Sequence, residues 1–184
     1  MGTLFKSFII TILILNSTTI INTEETMEWT DSAHSIPKEL FLYIRERLPE
    51  GTILELGSGW ASGQLSKFYT LYSIEHDHRW LNRYNTNYIY APIKNRWYNV
   101  DILKRELPEK YDLILIDGPP GDIGRGGFYT NLWLFDTNTI IIFDDVNRKA
   151  EYDLMVRVAN KLNRGFTVSA KDRFGKMFGI IEPR

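Results

Sequence analysis

Four short apolar runs, each stopping at a glycine or a carboxylate, constrain this chain more than any other feature of its sequence. Thr52–Leu56 runs into Gly57-Ser-Gly59, and Leu71–Glu75 ends on its own acid. Tyr111–Asp117 is stopped by Gly118-Pro-Pro-Gly121, and Thr139–Phe143 by Asp144-Asp145. Runs this short and nearly continuous read as strands buried on both faces. The segments between them carry helical signals. Pro37 and Glu39 mark a helix start ahead of Leu40, Phe41, Ile44 and Leu48, and Ala61–Phe68 and a stretch around Trp80 and Tyr84 read as further helix. Lys149–Leu162 sets Ala150, Leu154, Val158 and Leu162 in one row. Tyr88–Tyr90 is a further strand, and Phe166–Ala170 with Lys176–Ile181 forms a closing hairpin across Arg173-Phe-Gly175. The expected fold class is α/β, a doubly wound, mostly parallel sheet with a C-terminal hairpin. Ligands of such sheets bind beyond the carboxyl ends of the strands, where Gly57-Ser-Gly59, Glu75, Ala91-Pro92, Asp117 and Asp144-Asp145 all fall.

A length of 184 residues suits one domain. Residues 1–26 stand apart from it. Phe8–Leu15 is an apolar run after Lys6, followed by a polar interruption and Ile20-Ile21, too short and too polar in its middle for a membrane span. It has the lysine and apolar core of a secretory signal without a small-x-small cleavage site. Two readings stand side by side: a signal or anchor, or a vestigial extension ahead of a working domain at 27–184. The expected location is cytoplasmic, with membrane contact only through this N-terminal segment. Twenty-two Lys+Arg against 23 Asp+Glu leave no positive excess, so nucleic acid is not the expected partner. The absence of cysteine removes disulfides, zinc-thiolate sites and thiol nucleophiles together.

The glycines and the acid after them narrow the ligand. Glycine at the end of a strand lets backbone approach a ligand closely. Glu75, ending the next strand, is placed to accept hydrogen bonds from ribose hydroxyls. A dinucleotide fingerprint would read GxGxxG, whereas Gly57-Ser-Gly-Trp-Ala-Ser-Gly63 is one residue too long, and no GxxxxGK[ST] phosphate loop is present. Glu55, just before the glycines, suits an ammonium-bearing ligand better than a phosphate.

Glu55-Leu-Gly-Ser-Gly59, the Ile74-Glu75 strand end and Tyr111–Asp117 resemble the successive motifs of the class I S-adenosylmethionine-dependent methyltransferases. The resemblance runs from about Ile36 to Ile181 and implies a Rossmann-like sheet and methyl transfer from S-adenosyl-L-methionine. It also implies that Glu55, Gly57, Ser58, Gly59 and Glu75 contact the cofactor, with the loop at Ala91-Pro-Ile93 flanking adenine. The chain departs from the family pattern at Ala61, where a third glycine is usual. Asp117-Gly-Pro-Pro-Gly121 with Gly124-Arg125 looks more like small methyltransferases acting on sugars or other small metabolites.

The expected function is therefore methyl transfer to a small hydroxylated metabolite or glycan-type acceptor. Alternatives are an NAD-type nucleotide-binding oxidoreductase, which the glycine spacing disfavours, and a non-catalytic cofactor-binding module. Asp117 is the candidate base and a cofactor-side residue, and His34 a candidate base or clamp over the site. Asp144-Asp145 with Asp117 offers carboxylates to a divalent metal that would acidify a hydroxyl. The plainer reading of the pair is a cap ahead of Asn147-Arg148, so a metal is the less favoured cofactor. His76 and His78 have metal-ligand spacing, although His76 fits better near adenine. Arg125, Arg173 and Lys176 are candidates to receive an anionic acceptor. Trp97-Tyr98 and the aromatics from Phe128 to Trp133 could wall its pocket.

Overall fold

A computed structural model describes residues 35–184 of the chain. His34 and the segment 1–26 lie outside the described residues. One sheet has the strand order β3-β2-β1-β6-β7-β9-β8. In chain order these strands are β1 (Thr52–Leu56), β2 (Thr70–Glu75), β3 (Asn87–Tyr90), β6 (Leu113–Ile116), β7 (Ile140–Phe143), β8 (Thr167–Val168) and β9 (Gly179–Ile181). Two further strands, β4 (Ile93–Lys94) and β5 (Trp97–Tyr98), make a separate antiparallel hairpin. In the seven-stranded sheet the pairs β3–β2, β2–β1, β1–β6 and β6–β7 are parallel, whereas β9 lies antiparallel between β7 and β8.

Successive strand residues point to opposite faces, and both faces are covered. Ile53, Leu113, Leu115, Ile140 and Ile142 pack under α1 (Lys38–Arg47) and α2 (Trp60–Leu65), which contribute Leu40, Phe41, Ile44, Ala61 and Leu65. Leu54, Ile114, Ile116, Ile141 and Phe143 pack on the other face under α3 (Val100–Glu106), α4 (Gly127–Thr130) and α5 (Lys149–Leu162). The buried stripe of α5 is Leu154, Met155, Val158 and Ala159, while Ala150 sits exposed in its first turn. Among the described residues no helix is long and apolar enough to cross a membrane.

The stretch around Trp80 and Tyr84 is not the helix that its spacing suggests. Asp77 caps a single 3₁₀ turn, His78–Trp80, and Asn82 at φ 60° breaks any continuation. The closing hairpin exists, but its paired strands are shorter than expected.

The register sets the functional rim. Leu56 pairs with Ile74 on one side and Ile116 on the other, Ile116 with Phe143, and Glu75 with Tyr90. The next row along brings Glu75, Gly57, Asp117 and Asp144 abreast across adjacent strands. Backbone bonds hold the row: Gly57 N to Ile74 O at 2.9 Å, Asp117 N to Leu56 O at 3.1 Å and Asp144 N to Ile116 O at 3.1 Å. Between β1 and β6 the chain reverses its winding direction, which is where open α/β sheets leave a crevice.

Candidate functional site

The crevice is a cleft of about 720 Å³ at that reversal. Gly57, Ser58, Gly59, Glu75 and Asp117 line it, together with His76, Trp60, Trp80 and Tyr84 on one side and Arg125, Asp145, Arg148 and Lys176 on the other. A separate cleft of about 660 Å³, between the β4–β5 hairpin and α4, holds none of the rim acids.

Gly57 adopts φ +90°, a conformation L side chains rarely take. The turn it opens lies against Gly118 at the end of β6. A side-chain carbon on Gly118 would stand 2.8 Å from Gly57 Cα and 2.5 Å from Tyr98 Oη. Two strand ends thus meet backbone to backbone, and the loops they feed diverge to form the cleft.

Glu75 is 2% exposed and ties the neighbouring turns together. Its Oε2 accepts from Ser58 N at 3.0 Å, and its Oε1 from His76 N at 2.6 Å and Asp77 N at 2.7 Å. His76 Nδ1 lies 2.9 Å from the same Oε1. The residues that wall this side are linked through Tyr88, whose Oη is 3.3 Å from Ser58 Oγ and accepts from Tyr84 N at 3.3 Å.

Two of the expected cofactor residues stand elsewhere. Glu55 points to the sheet face covered by α2 and is not among the residues lining the cleft. It is 2% exposed and accepts from Ser73 Oγ at 2.5 Å. Burial pushes its carboxyl up to about 7, against the lowering effect of hydrogen bonds from Ser62 and Ser73. Ser62 in turn accepts from Gly59 N at 2.9 Å, so Glu55 supports the glycine turn from below. Ala91 is fully buried in the core beside Trp97 and Tyr98, because the chain leaves β3 directly into the β4–β5 hairpin. His78 is exposed and paired with Asp77 rather than turned to the cleft. Arg173 lies over Phe174, away from the cleft. Trp97, Tyr98 and Phe128 are core, and Trp133 is 65% exposed, so this aromatic cluster does not wall the cleft.

The far side of the cleft is a dense charge cluster. Asp117, Asp144 and Asp145 each bring a carboxylate oxygen within 4.8 Å of the others. Arg125, expected to receive an acceptor, is instead buried among them. Its Nη2 donates to Asp117 Oδ1 and Asp145 Oδ2, both at 3.1 Å, and to Asp117 O at 2.5 Å, while Nη1 donates to Asp144 O at 2.9 Å. Lys176 Nζ donates to Asp144 Oδ2 at 2.9 Å and Ser35 O at 2.6 Å, and lies 3.4 Å from Asp145 Oδ1. Arg148 Nη1 completes the ring 3.1 Å from Asp145 Oδ2. Burial raises the Asp117 carboxyl, partly offset by Arg125 and Lys176, and pushes Asp144 up to about 8 with Asp117 adding to the rise. Burial alone would lower Lys176 and Arg125, but the carboxylates outweigh it and both remain charged.

Cations of the chain already hold most of the carboxylate oxygens of this cluster, while Asp144 Oδ1 is buried without a hydrogen-bond partner among the described residues. Both oxygens of Asp145 lie on cations, and Asp117 and Asp144 each give one. An added dication would face two largely buried positive charges.

Comparison with solved structures decides the fold. A methyltransferase from Pyrococcus furiosus superposes with a TM-score of 0.53 at 13% identity, over 79% of this chain and 82% of that one. The chain has the class I methyltransferase fold. The METTL16 MTase domain shares this fold with a TM-score of 0.52 at 13% identity, over 78% of this chain and 66% of that one. MycE methyltransferase from the mycinamycin biosynthetic pathway, solved in complex with Mg and SAH, gives 0.51 at 12% identity over 79% of this chain. The chain spans only 45% of MycE's length. No family model and no curated protein matches it by sequence.

Sequence reasoning missed Trp60, Trp80 and Tyr84 as lining residues, and it missed the internal role of Arg125. Trp60 opens α2 just after β1, and Trp80 and Tyr84 follow β2, so position after a strand end was the usable signal. For Arg125 there was none, since an arginine among glycines reads as exposed loop.

Proposed function

We propose that this chain is an S-adenosylmethionine-dependent methyltransferase acting on a hydroxyl of a small metabolite or glycan-type acceptor. The observation that carries this reading is the shared rim. A glycine turn and a buried glutamate, abreast on adjacent strands, open onto one cleft at the sheet's point of reversal. Gly57, Ser58, Gly59 and Glu75 would hold the adenosyl and methionine parts, with Trp80 and Tyr84 flanking. S-adenosylmethionine would supply an electrophilic methyl group there.

The chain's own residues then do two things. The cleft walls hold the acceptor oxygen in line with the methyl group, which is the larger part of catalysis for such a displacement. Asp117, a third exposed and fixed by Arg125, takes the hydroxyl proton. Below the glycine turn, Glu55 contributes by holding Ser62 and hence Gly59.

Calorimetry with S-adenosylmethionine, S-adenosylhomocysteine and NAD tests the reading directly. Saturable heat from the first two and none from NAD is expected; no heat from folded protein at millimolar ligand would refute it. Glu75→Gln should weaken cofactor binding by about 1–3 kcal/mol, the worth of one charged hydrogen bond. A turnover assay with S-adenosylmethionine then tests sugars, phenols and RNA oligonucleotides as acceptors, because fold alone does not choose the acceptor.

A further inference from the structure

Arg125 reaches the centre of the carboxylate cluster from a loop whose glycines let it fold back beneath the rim. Gly124 stands at φ +88°, and no neighbouring atom would crowd a side chain at Gly124 or Gly126. The turn at Gly124 therefore exists for backbone direction, and that direction carries the next side chain inward. Its side chain is only 4% exposed, and the guanidinium bonds carboxylates or carbonyls of residues ending β6 and starting the loop after β7. A divalent ion bridging the ends of these two strands would use the same carboxylates. A guanidinium is planar and always charged, and its fixed N–H donors can bridge several oxygens at once.

We propose that Arg125 is the resident cation of this cluster, joining Asp117, Asp144 and Asp145 in place of a divalent metal, so that the site works without one. Lys176 and Arg148 complete the charge balance from either side. Removing Arg125 would leave three converging carboxylates with an empty centre, and the inference predicts that a divalent ion then enters. The assignment concerns the cluster rather than the reaction, and metal binding is read without turnover.

The test is a Mn²⁺ titration of the full chain followed by electron paramagnetic resonance of the free ion. Wild type, Asp145→Asn, Arg125→Ser, Arg125→Lys and the double variant Arg125→Ser with Asp145→Asn are compared, with folding checked by circular dichroism. Wild type and Arg125→Lys should show no saturable binding at millimolar Mn²⁺. Arg125→Ser should bind Mn²⁺ about tenfold or more tightly than wild type, and the double variant should lose that gain. Saturable binding by wild type that Asp145→Asn abolishes would overturn the proposal. So would a folded Arg125→Ser chain that ignores Mn²⁺. If Arg125→Ser does not fold, wild type and Arg125→Lys still decide, because Mn²⁺ bound in the cluster of either one refutes the resident arginine.

Discussion

Gly118→Ala probes the meeting of the two strand ends. The new methyl group would stand 2.5 Å from Tyr98 Oη, 2.8 Å from Gly57 Cα and 2.9 Å from Gly57 N. The last two are backbone atoms that cannot rotate away, so β1 and β6 must part at their carboxyl ends. Overpacking of this kind costs about 1–3 kcal/mol, and with two backbone contacts the upper end, about 3 kcal/mol, is expected. For a domain of this size that lowers Tm by about 6–12 °C. Tyr98→Phe removes the third contact and supplies a control. Tyr98 Oη is buried with no hydrogen-bond partner among the described residues, so its loss alone should be neutral or stabilising by about 1 kcal/mol. In the double variant only the backbone clash remains, and the two changes should couple favourably by about 1 kcal/mol. Urea unfolding of all four proteins closes the cycle. A Gly118→Ala chain as stable as wild type, or a Tyr98→Phe chain that is clearly weaker, would refute the close approach.

Glu55 makes stability depend on pH. Its carboxyl holds a proton up to about pH 7 in the folded chain but ionises near 4.5 when unfolded, so the folded state binds more protons in that window and stability falls as pH rises through it. Glu55→Gln removes that contribution. Urea unfolding should find the variant equal to wild type near pH 4 and relatively gained by about 3.5 kcal/mol at pH 8, from roughly 2.5 pH units at about 1.4 kcal/mol each. A constant difference across pH would count against the buried acid. Lys176→Met strips a cation from Asp144 and Asp145 and a donor from Ser35 O, and should cost about 3–5 kcal/mol in the same assay. Asp117→Asn should lower kcat while leaving S-adenosylmethionine affinity, read by calorimetry, near wild type; unchanged kcat would remove Asp117 as the base.

The central strands were legible in the sequence because their residues are apolar on both faces. Ile140–Phe143 and Leu113–Ile116 have no polar side to confuse the period. The rim was legible for the same reason, since a strand end in a continuous run is sharp. The β4–β5 hairpin was not, because its strands are two residues long and its turn uses Asn95 at φ 55° and Arg96 at φ 60°. Arginine is not a residue that announces a left-handed turn. Helix α3 was overlooked despite its cap, in which Asn99 accepts from Asp101 N. Glu55 illustrates the remaining limit. Its place before the glycines was clear, but which sheet face it occupied depended on how the strand's pleat met α2.

Lys176 holds Ser35 and the carboxylates of Asp144 and Asp145 from the connection between β8 and β9. Ser35 precedes the first helix and Lys176 lies 141 residues later, so one ammonium ties the segment ahead of α1 to the last hairpin. During synthesis the acids emerge well before the lysine that neutralises them, and β9 must slot between β7 and β8 to deliver it. Assembly of the cleft is therefore a finishing event: a nascent chain lacking its last hairpin would carry a half-built, negatively charged rim.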